Sequence, residues 1–171
     1  CTNIEIADFF GCSENTIRRY GEFLTKGRAN LKKRLRKKMV RHVLGLSGGK
    51  DSSALAVYMK DRVPDMEYYF CDTGKELPET YEYIKKLEIL LGKPIDMLNA
   101  DRDFDHWMWV NKGLLPSAQL RWCTPNLKIK PFEMWVGEDE AISYIGIRAD
   151  ENREGYISSK KNIKPVYPFK E

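Results

Sequence analysis

Residues 41–53, RHVLGLSGGKDSS, restrict what this chain can fold into more than any other stretch. Val43, Leu44 and Leu46 make Arg41–Leu46 a short buried strand, and glycines follow at once. Ser47-Gly48-Gly49-Lys50-Asp51-Ser52-Ser53 then turns into a helix whose apolar members are Leu55, Val57, Tyr58 and Met59. Strand, glycine turn and helix N-terminus in that order build an anion cradle. Glycines let backbone N–H groups converge on one point, and the first helical turn adds free N–H groups with partial positive charge. Ser47, Ser52 and Ser53 supply hydroxyl donors and Lys50 a full charge, so the stretch reads as a phosphate site.

The kind of phosphate site follows from the spacing. A Walker A loop requires Gly-x-x-x-x-Gly-Lys-[Ser/Thr]. Here Leu44 occupies the first glycine position and Asp51 follows the lysine. A carboxylate beside a phosphate repels it unless a cation lies between them, which points Asp51 toward Mg²⁺.

The length, 171 residues, suits one domain with a small appendage, and 42% apolar residues suffice for a core. No apolar run approaches a membrane span and there is no signal-peptide pattern, so a soluble, cytoplasmic protein without membrane partners is expected. Cys1, Cys12, Cys71 and Cys123 are scattered and form no C-x-x-C pair, which fits a reducing compartment better than a disulfide framework or a zinc site. The net charge of +4 conceals an asymmetry: residues 26–41 carry nine basic side chains and no acid, and the remainder is net acidic. A concentrated basic segment suggests a polyanion partner.

Along the chain, residues 1–25 carry a helix-turn-helix pattern. Ile4, Ile6, Phe9 and Phe10 form an apolar face, Gly11 a turn, and Ser13 a cap for a second helix with Ile17 and Tyr20. Arg18 and Arg19 on that helix, with Lys32, Lys33, Arg34, Lys37 and Lys38 of a basic linker helix at 26–40, are the residues expected to meet DNA. Met66–Asp72 reads as a second buried strand ending in Asp72-Thr73-Gly74, where α/β folds place ligands. Pro78–Leu91 reads as a helix with Tyr81, Ile84, Leu87, Leu90 and Leu91 in its core stripe, closed by Gly92, and 95–98 as a third strand. Residues 99–117 break the pattern, and His106 among Asp101, Asp103 and Asp105 reads as polar surface in a loop. Arg121, Lys128 and Lys130 could grip a second phosphate or a nucleic-acid backbone, with Trp122 available for stacking. A fourth strand is expected at 142–147, followed by Gly146, Arg148 and Arg153 at its exit, and loop to the end. The β-α-β-α-β rhythm predicts the α/β class: a Rossmann-like parallel sheet with helices on both faces, preceded by the small helix-turn-helix segment.

Four segments, 47–53, 72–74, 121–131 and 146–153, together resemble the phosphoadenosine phosphosulfate (PAPS) reductase family of the PP-loop, or adenine-nucleotide α-hydrolase, superfamily. Ser-Gly-Gly-Lys-Asp-Ser is similar to the PP-loop of N-type ATP pyrophosphatases, and Arg-Trp-Cys-Thr followed by Leu-Lys-Ile-Lys-Pro is most similar to the Dnd-type enzymes of DNA phosphorothioation. The resemblance covers about residues 41–169 and implies a PP-loop domain at 41–171 that is C-terminally truncated relative to its relatives. It implies ATP or PAPS bound with Mg²⁺ by residues 47–53, Asp72, Thr73, Gly74, Gly146, Arg148 and Arg153. Lys50, Asp51 and Cys123 would be catalytic, with Asp51 at the metal, and Arg121, Lys128 and Lys130 would hold the acceptor. The implied activity is adenylation of a substrate with pyrophosphate release, in sulfur modification of DNA, with a cysteine desulfurase or another sulfur donor as partner. PAPS or adenylylsulfate reduction is the alternative, and a nucleotide-sensing DNA-binding regulator a second one. This chain has no Glu-Cys-Gly-x-His segment, the tail that carries the reductases' nucleophile. Only Cys123 falls at a position matching a cluster cysteine, so no iron–sulfur cluster is expected within it.

Overall fold

The computed structural model describes residues 40–152 and 158–170. The chain divides into Cys1–Met39 and Val40–Glu171, and every described residue belongs to the second unit. The expected helix-turn-helix segment, the expected basic linker through Met39, the residues expected there to meet DNA, and Arg153 lie outside the described residues.

The elements run β1 (Arg41–Leu46), α1 (Lys50–Met59), β2 (Met66–Asp72), α2 (Pro78–Leu91), β3 (Ile95–Asn99) and α3 (Phe104–Val110). A π-helical segment (Thr124–Ile129) then leads into α4 (Lys130–Val136), β4 (Ala141–Tyr144) and β5 (Ile163–Val166). All five strands are parallel, in the order β3-β2-β1-β4-β5. The chain leaves β1 on one side for β2 and returns on the other side as β4. The β1–β4 boundary is therefore the switch point, where parallel sheets open a crevice at their carboxyl ends.

Strand periodicity decides which helix covers which face. Leu44, Leu46, Met66, Tyr68 and Phe70 alternate onto one face, where Leu55, Ala56 and Met59 of α1 and Ile84, Leu87 and Leu91 of α2 pack on them. Val43, Leu98, Ala141 and Ile163 point to the other face, under Phe132 and Val136 of α4, with Tyr69 stacked on Phe132 at 4.7 Å. Each fully buried side chain of this kind contributes about 1.5–3 kcal/mol. Arg41 anchors the start of β1: it forms a forked pair with Glu67 at 2.9 and 2.7 Å, donates to Trp135 O at 3.1 Å and lies over the Trp135 ring. Although it closes the basic run in the sequence, it is committed to the sheet.

Several expectations are corrected. Val57, Tyr58 and Leu90 are exposed, because α1 and α2 each bury only a narrow stripe. The fourth strand ends at Tyr144, not 147, and the segment with Pro165 is a strand, not loop. Pro165 is tolerated there because, among the described residues, β5 pairs with β4 alone and lies at the edge of the sheet. Residues 104–110 form a helix, which Asp103 starts by accepting the His106 N–H at 2.8 Å, so His106 sits on that helix and not in a loop. Among the described residues no helix is long and apolar enough to cross a membrane.

Candidate functional site

The turn out of β1 is built as an open cradle. Gly48 takes a left-handed conformation (φ 72°), and a Cβ there would meet Thr80 Cγ2 at 2.9 Å, so the position requires glycine. Gly49 caps α1 without any side-chain acceptor, leaving the first helical N–H groups to the cleft. The serines brace the loop. Ser47 Oγ and Ser52 Oγ lie 3.1 Å apart, Ser52 Oγ donates to Gly49 O at 3.2 Å, and Ser53 Oγ donates to the same carbonyl at 2.9 Å. Ser53 is buried, so its hydroxyl holds the turn rather than facing the cleft. Lys50 is exposed and makes no ion pair among the described residues.

The other wall comes from the exit of β4. Gly146 lies against the start of α1: a Cβ there would sit 2.9 Å from Asp51 O and 3.2 Å from Ser52 N, both backbone atoms. This close approach carries Arg148 onto the loop, where its Nη1 donates to Asp51 Oδ1 at 3.1 Å while Nε donates to Asp150 Oδ1 at 2.9 Å. The hydrogen bond to Arg148 holds the Asp150 carboxyl below its ordinary range, and the two acids raise the arginine further. Ser47, Gly49, Asp51, Ser52 and Gly146 thus share one cleft of about 260 Å³ at the switch point.

Sequence reasoning did not find the remaining walls of that cleft, Gly45, Tyr69, Ser143, Tyr144 and Ile145. Tyr144 OH lies 2.9 Å from His42 Nδ1, which fixes the ring. The period-2 alternation of β2, which separates Tyr69 from Tyr68 and Phe70, was the available signal for Tyr69. A neighbouring, more apolar cleft of about 220 Å³ shares Gly45, Ser47 and Tyr69 and adds Thr124, Lys128 and Phe132.

The other expected residues are distributed differently. Asp72, Thr73 and Gly74 line a separate cleft of about 580 Å³ with Arg102 and His106. Asp72 Oδ1 accepts from Gly74 N at 2.8 Å and from Tyr81 OH at 2.7 Å. Lys128 reaches the apolar cleft, whereas Lys130 turns to Asn126 Oδ1 at 2.9 Å, and Arg121 is exposed. Trp122 is no stacking platform: it is buried, donates to Leu114 O at 3.1 Å and tilts against Phe104. Cys123 is half-buried just ahead of the π-helical segment. Cys71 donates to Lys128 O at 3.4 Å, and burial pushes its thiol up to about 12, against the opposing Lys128 charge, which suits a core residue and not a nucleophile.

Two tests bear on Mg²⁺. Among the described residues no group of three His, Cys, Asp or Glu side chains is arranged to hold a metal ion. Mg²⁺ on a nucleotide asks less, one or two carboxylates beside the phosphates and water, and Asp51 at the head of α1 meets that requirement.

A parallel sheet of this order, with a Ser-Gly-Gly-Lys-Asp-Ser turn at its switch point, defines a Rossmann-like α/β domain of the PP-loop class. The chain belongs to the phosphoadenosine phosphosulfate reductase domain family, whose model matches residues 41–164. It is 27% identical over 136 residues to the uncharacterised protein MJ0973 of Methanocaldococcus jannaschii, covering 72% of this chain and 32% of that one. It is 28% identical over 141 residues to the uncharacterised nin region protein ORF290 of Escherichia phage lambda, covering 64% of this chain and 49% of that one. The tRNA-specific 2-thiouridylase MnmA of Hydrogenovibrio crunogenus is 28% identical over 141 residues, with 69% and 36% covered. The chain therefore spans about a third to a half of the length of these relatives. The crystal structure of PAPS reductase from Candida auris, a phosphate complex, superposes with a TM-score of 0.55 at 12% identity, covering 77% of this chain and 66% of that one. That likeness is one of fold.

Proposed function

We propose that this domain binds an adenine nucleotide with its phosphates on residues 47–52 and activates an acceptor by adenylation. The observation that supports this best is the cleft at the β1–β4 switch point. Glycine-built N–H donors and Asp51, which Arg148 engages at 3.1 Å, line a volume of about 260 Å³ there, and Lys50, exposed and without an ion pair among the described residues, stands at the head of α1. Backbone N–H groups and Lys50 hold the β,γ-pyrophosphate, and Arg148 is placed to exchange Asp51 for a phosphate oxygen. Asp51 would hold Mg²⁺, which supplies charge neutralisation of the departing pyrophosphate. The apolar cleft beside Tyr69 and Phe132 accepts the base. An acceptor oxygen forms a bond to the α-phosphorus as the Pα–O bond to pyrophosphate breaks; positioning and charge stabilisation carry the step. A sulfur nucleophile then displaces AMP. We propose DNA as the acceptor, delivered by the helix-turn-helix and basic segment.

PAPS or adenylylsulfate reduction is the second reading, favoured by the description of the matching family. It requires a thiol to attack the sulfonucleotide sulfur; Cys71 lines the apolar cleft with a thiol that burial holds protonated, and half-buried Cys123 directly precedes Thr124 of that wall. Incubation with ATP and Mg²⁺, with and without DNA, separates the readings. AMP and pyrophosphate support adenylation. ADP and phosphate, or no turnover of ATP together with sulfite from PAPS and thioredoxin, overturn it.

A further inference from the structure

Two clefts share a rim at Asp101, Arg102 and His106. One opens beside Asp72 at the carboxyl end of β2. The other, of about 450 Å³, continues between α3 and α4 past Trp107 and Lys130. We propose that this second cleft is the acceptor site and takes a nucleotide unit, its phosphate on Arg102 and Lys130 and its base against the Trp107 indole. The proposal rests on the adenylating reading for the word acceptor, while binding in the cleft does not depend on it.

The lining is preset for such a ligand. Lys130 Nζ is held 2.9 Å from Asn126 Oδ1 and 5.2 Å from the centre of the Trp107 ring, a cation fixed beside an aromatic face with no carboxylate paired to it among the described residues. Arg102 is exposed and makes no hydrogen bond or ion pair among the described residues. His106 stands edge-on to Trp107 at 5.5 Å and bounds both clefts. Trp107 Nε1 is buried with no acceptor among the described residues, which leaves an unpaired donor in the wall of the cleft. Lys160, on the far wall, donates to the carbonyls of Glu133 and Gly137 at 3.0 Å.

Two acids also line the cleft. Glu133 accepts from Ser158 Oγ, Ser159 N and Ser159 Oγ at 2.9, 3.2 and 3.0 Å, which directs its charge toward that segment. Asp101 sits on the shared rim, so the phosphate belongs at the Lys130 end. A bare phosphate would use the cations and leave the indole idle; an apolar ligand would strand Arg102 and Lys130. A nucleotide unit uses both, through phosphate contacts and base stacking. The aromatic partner that the sequence assigns to Trp122 is thus supplied by Trp107, because Trp122 is buried under Leu114 and Phe104.

The test labels the protein with 5-fluorotryptophan and follows the Trp107 ¹⁹F signal, assigned with Trp107→Phe, during titration with thymidine 5′-monophosphate or a short oligothymidylate. Both probes should move that signal. Arg102→Gln and Lys130→Gln, exposed substitutions checked for folding by circular dichroism, should each weaken binding roughly tenfold. Tighter, steeply salt-dependent binding of the oligomer marks a strand as the source of the nucleotide unit, and equal affinity marks a free nucleotide. A Trp107 signal unmoved at millimolar probe, or variants that bind like the wild type, overturns the proposal. Titration of the same sample with ATP and Mg²⁺ reads the loop separately, so a loop that fails to bind ATP leaves the cleft result as it stands.

Discussion

Arg148 Nη1 lies 3.1 Å from Asp51 Oδ1, joining the exit of β4 to the first turn of α1 across 97 residues of sequence. This contact places a cation against Asp51, which itself lines the switch-point cleft. Both side chains are partly exposed, so the pair adds little to stability, and its consequence lies in binding.

Lys50→Ala and Asp51→Ala should therefore leave the fold intact and reduce pyrophosphate release from ATP by roughly 10²-fold or more, the scale of losing a preset charge at a reacting phosphate. Arg148→Ala should weaken nucleotide binding as well. Coupled-enzyme detection of pyrophosphate, with thermal unfolding as control, makes the measurement. Wild-type release from the Lys50 and Asp51 variants would remove the loop from the mechanism.

Gly146→Ala tests the close approach itself. The new methyl would lie 2.9 Å from Asp51 O, a backbone atom within α1 that cannot turn aside. A loss of about 1–3 kcal/mol in urea unfolding is expected, the range for overpacking, together with weaker nucleotide binding. An unchanged midpoint would mean that the 145–147 segment stands farther from α1.

Tyr81 carries a pH signature. Its hydrogen bond to Asp72, aided by partial desolvation and the Asp72 charge, raises the phenol from 10.0 to about 12. The folded value exceeds the unfolded one. The neutral, hydrogen-bonded form therefore stabilises the fold fully below pH 10, and that contribution is lost as pH rises through about 12. In ¹³C-tyrosine-labelled protein the Tyr81 ring, assigned with Tyr81→Phe, should titrate near that upper value, and Asp72→Asn should return it toward 10.0. Ordinary titration in the wild type would mean that the Tyr81–Asp72 bond is absent in solution.

Delivery of DNA by the N-terminal segment predicts binding that weakens with salt, with a log–log slope of about −0.9 per phosphate contact. Replacing Lys32, Lys33, Arg34, Lys37 and Lys38 with glutamine should flatten the slope while ATP binding persists. Arg18→Ala or Arg19→Ala should weaken binding more modestly. Fluorescence anisotropy on duplex DNA measures both, and identical slopes for wild type and quintuple variant would exclude the segment.

How far the site was legible depends on the range of the forces involved. Met66–Asp72 and Pro78–Leu91 could be bounded from the sequence because alternation, a proline in the first turn and Gly92 at the end are local signals. The cradle was legible for the same reason: residues 47–53 build it from their own backbone. The stretch 163–166, read as loop for its proline, is a strand because β4 offers it an edge.

The sequence by itself thus determined the strand–loop–helix turn and the α/β class, since each follows from contacts within a few residues. Tertiary structure alone decided which side chains meet. It buried Trp122 and left Trp107 on a cleft; it committed Arg41 to Glu67; it set Arg148 on Asp51 but kept Asp72 in a neighbouring cleft. Those outcomes follow from the strand order β3-β2-β1-β4-β5, which fixes what stands beside β1 and is set by burial of both sheet faces at once, a condition that no local run of residues encodes.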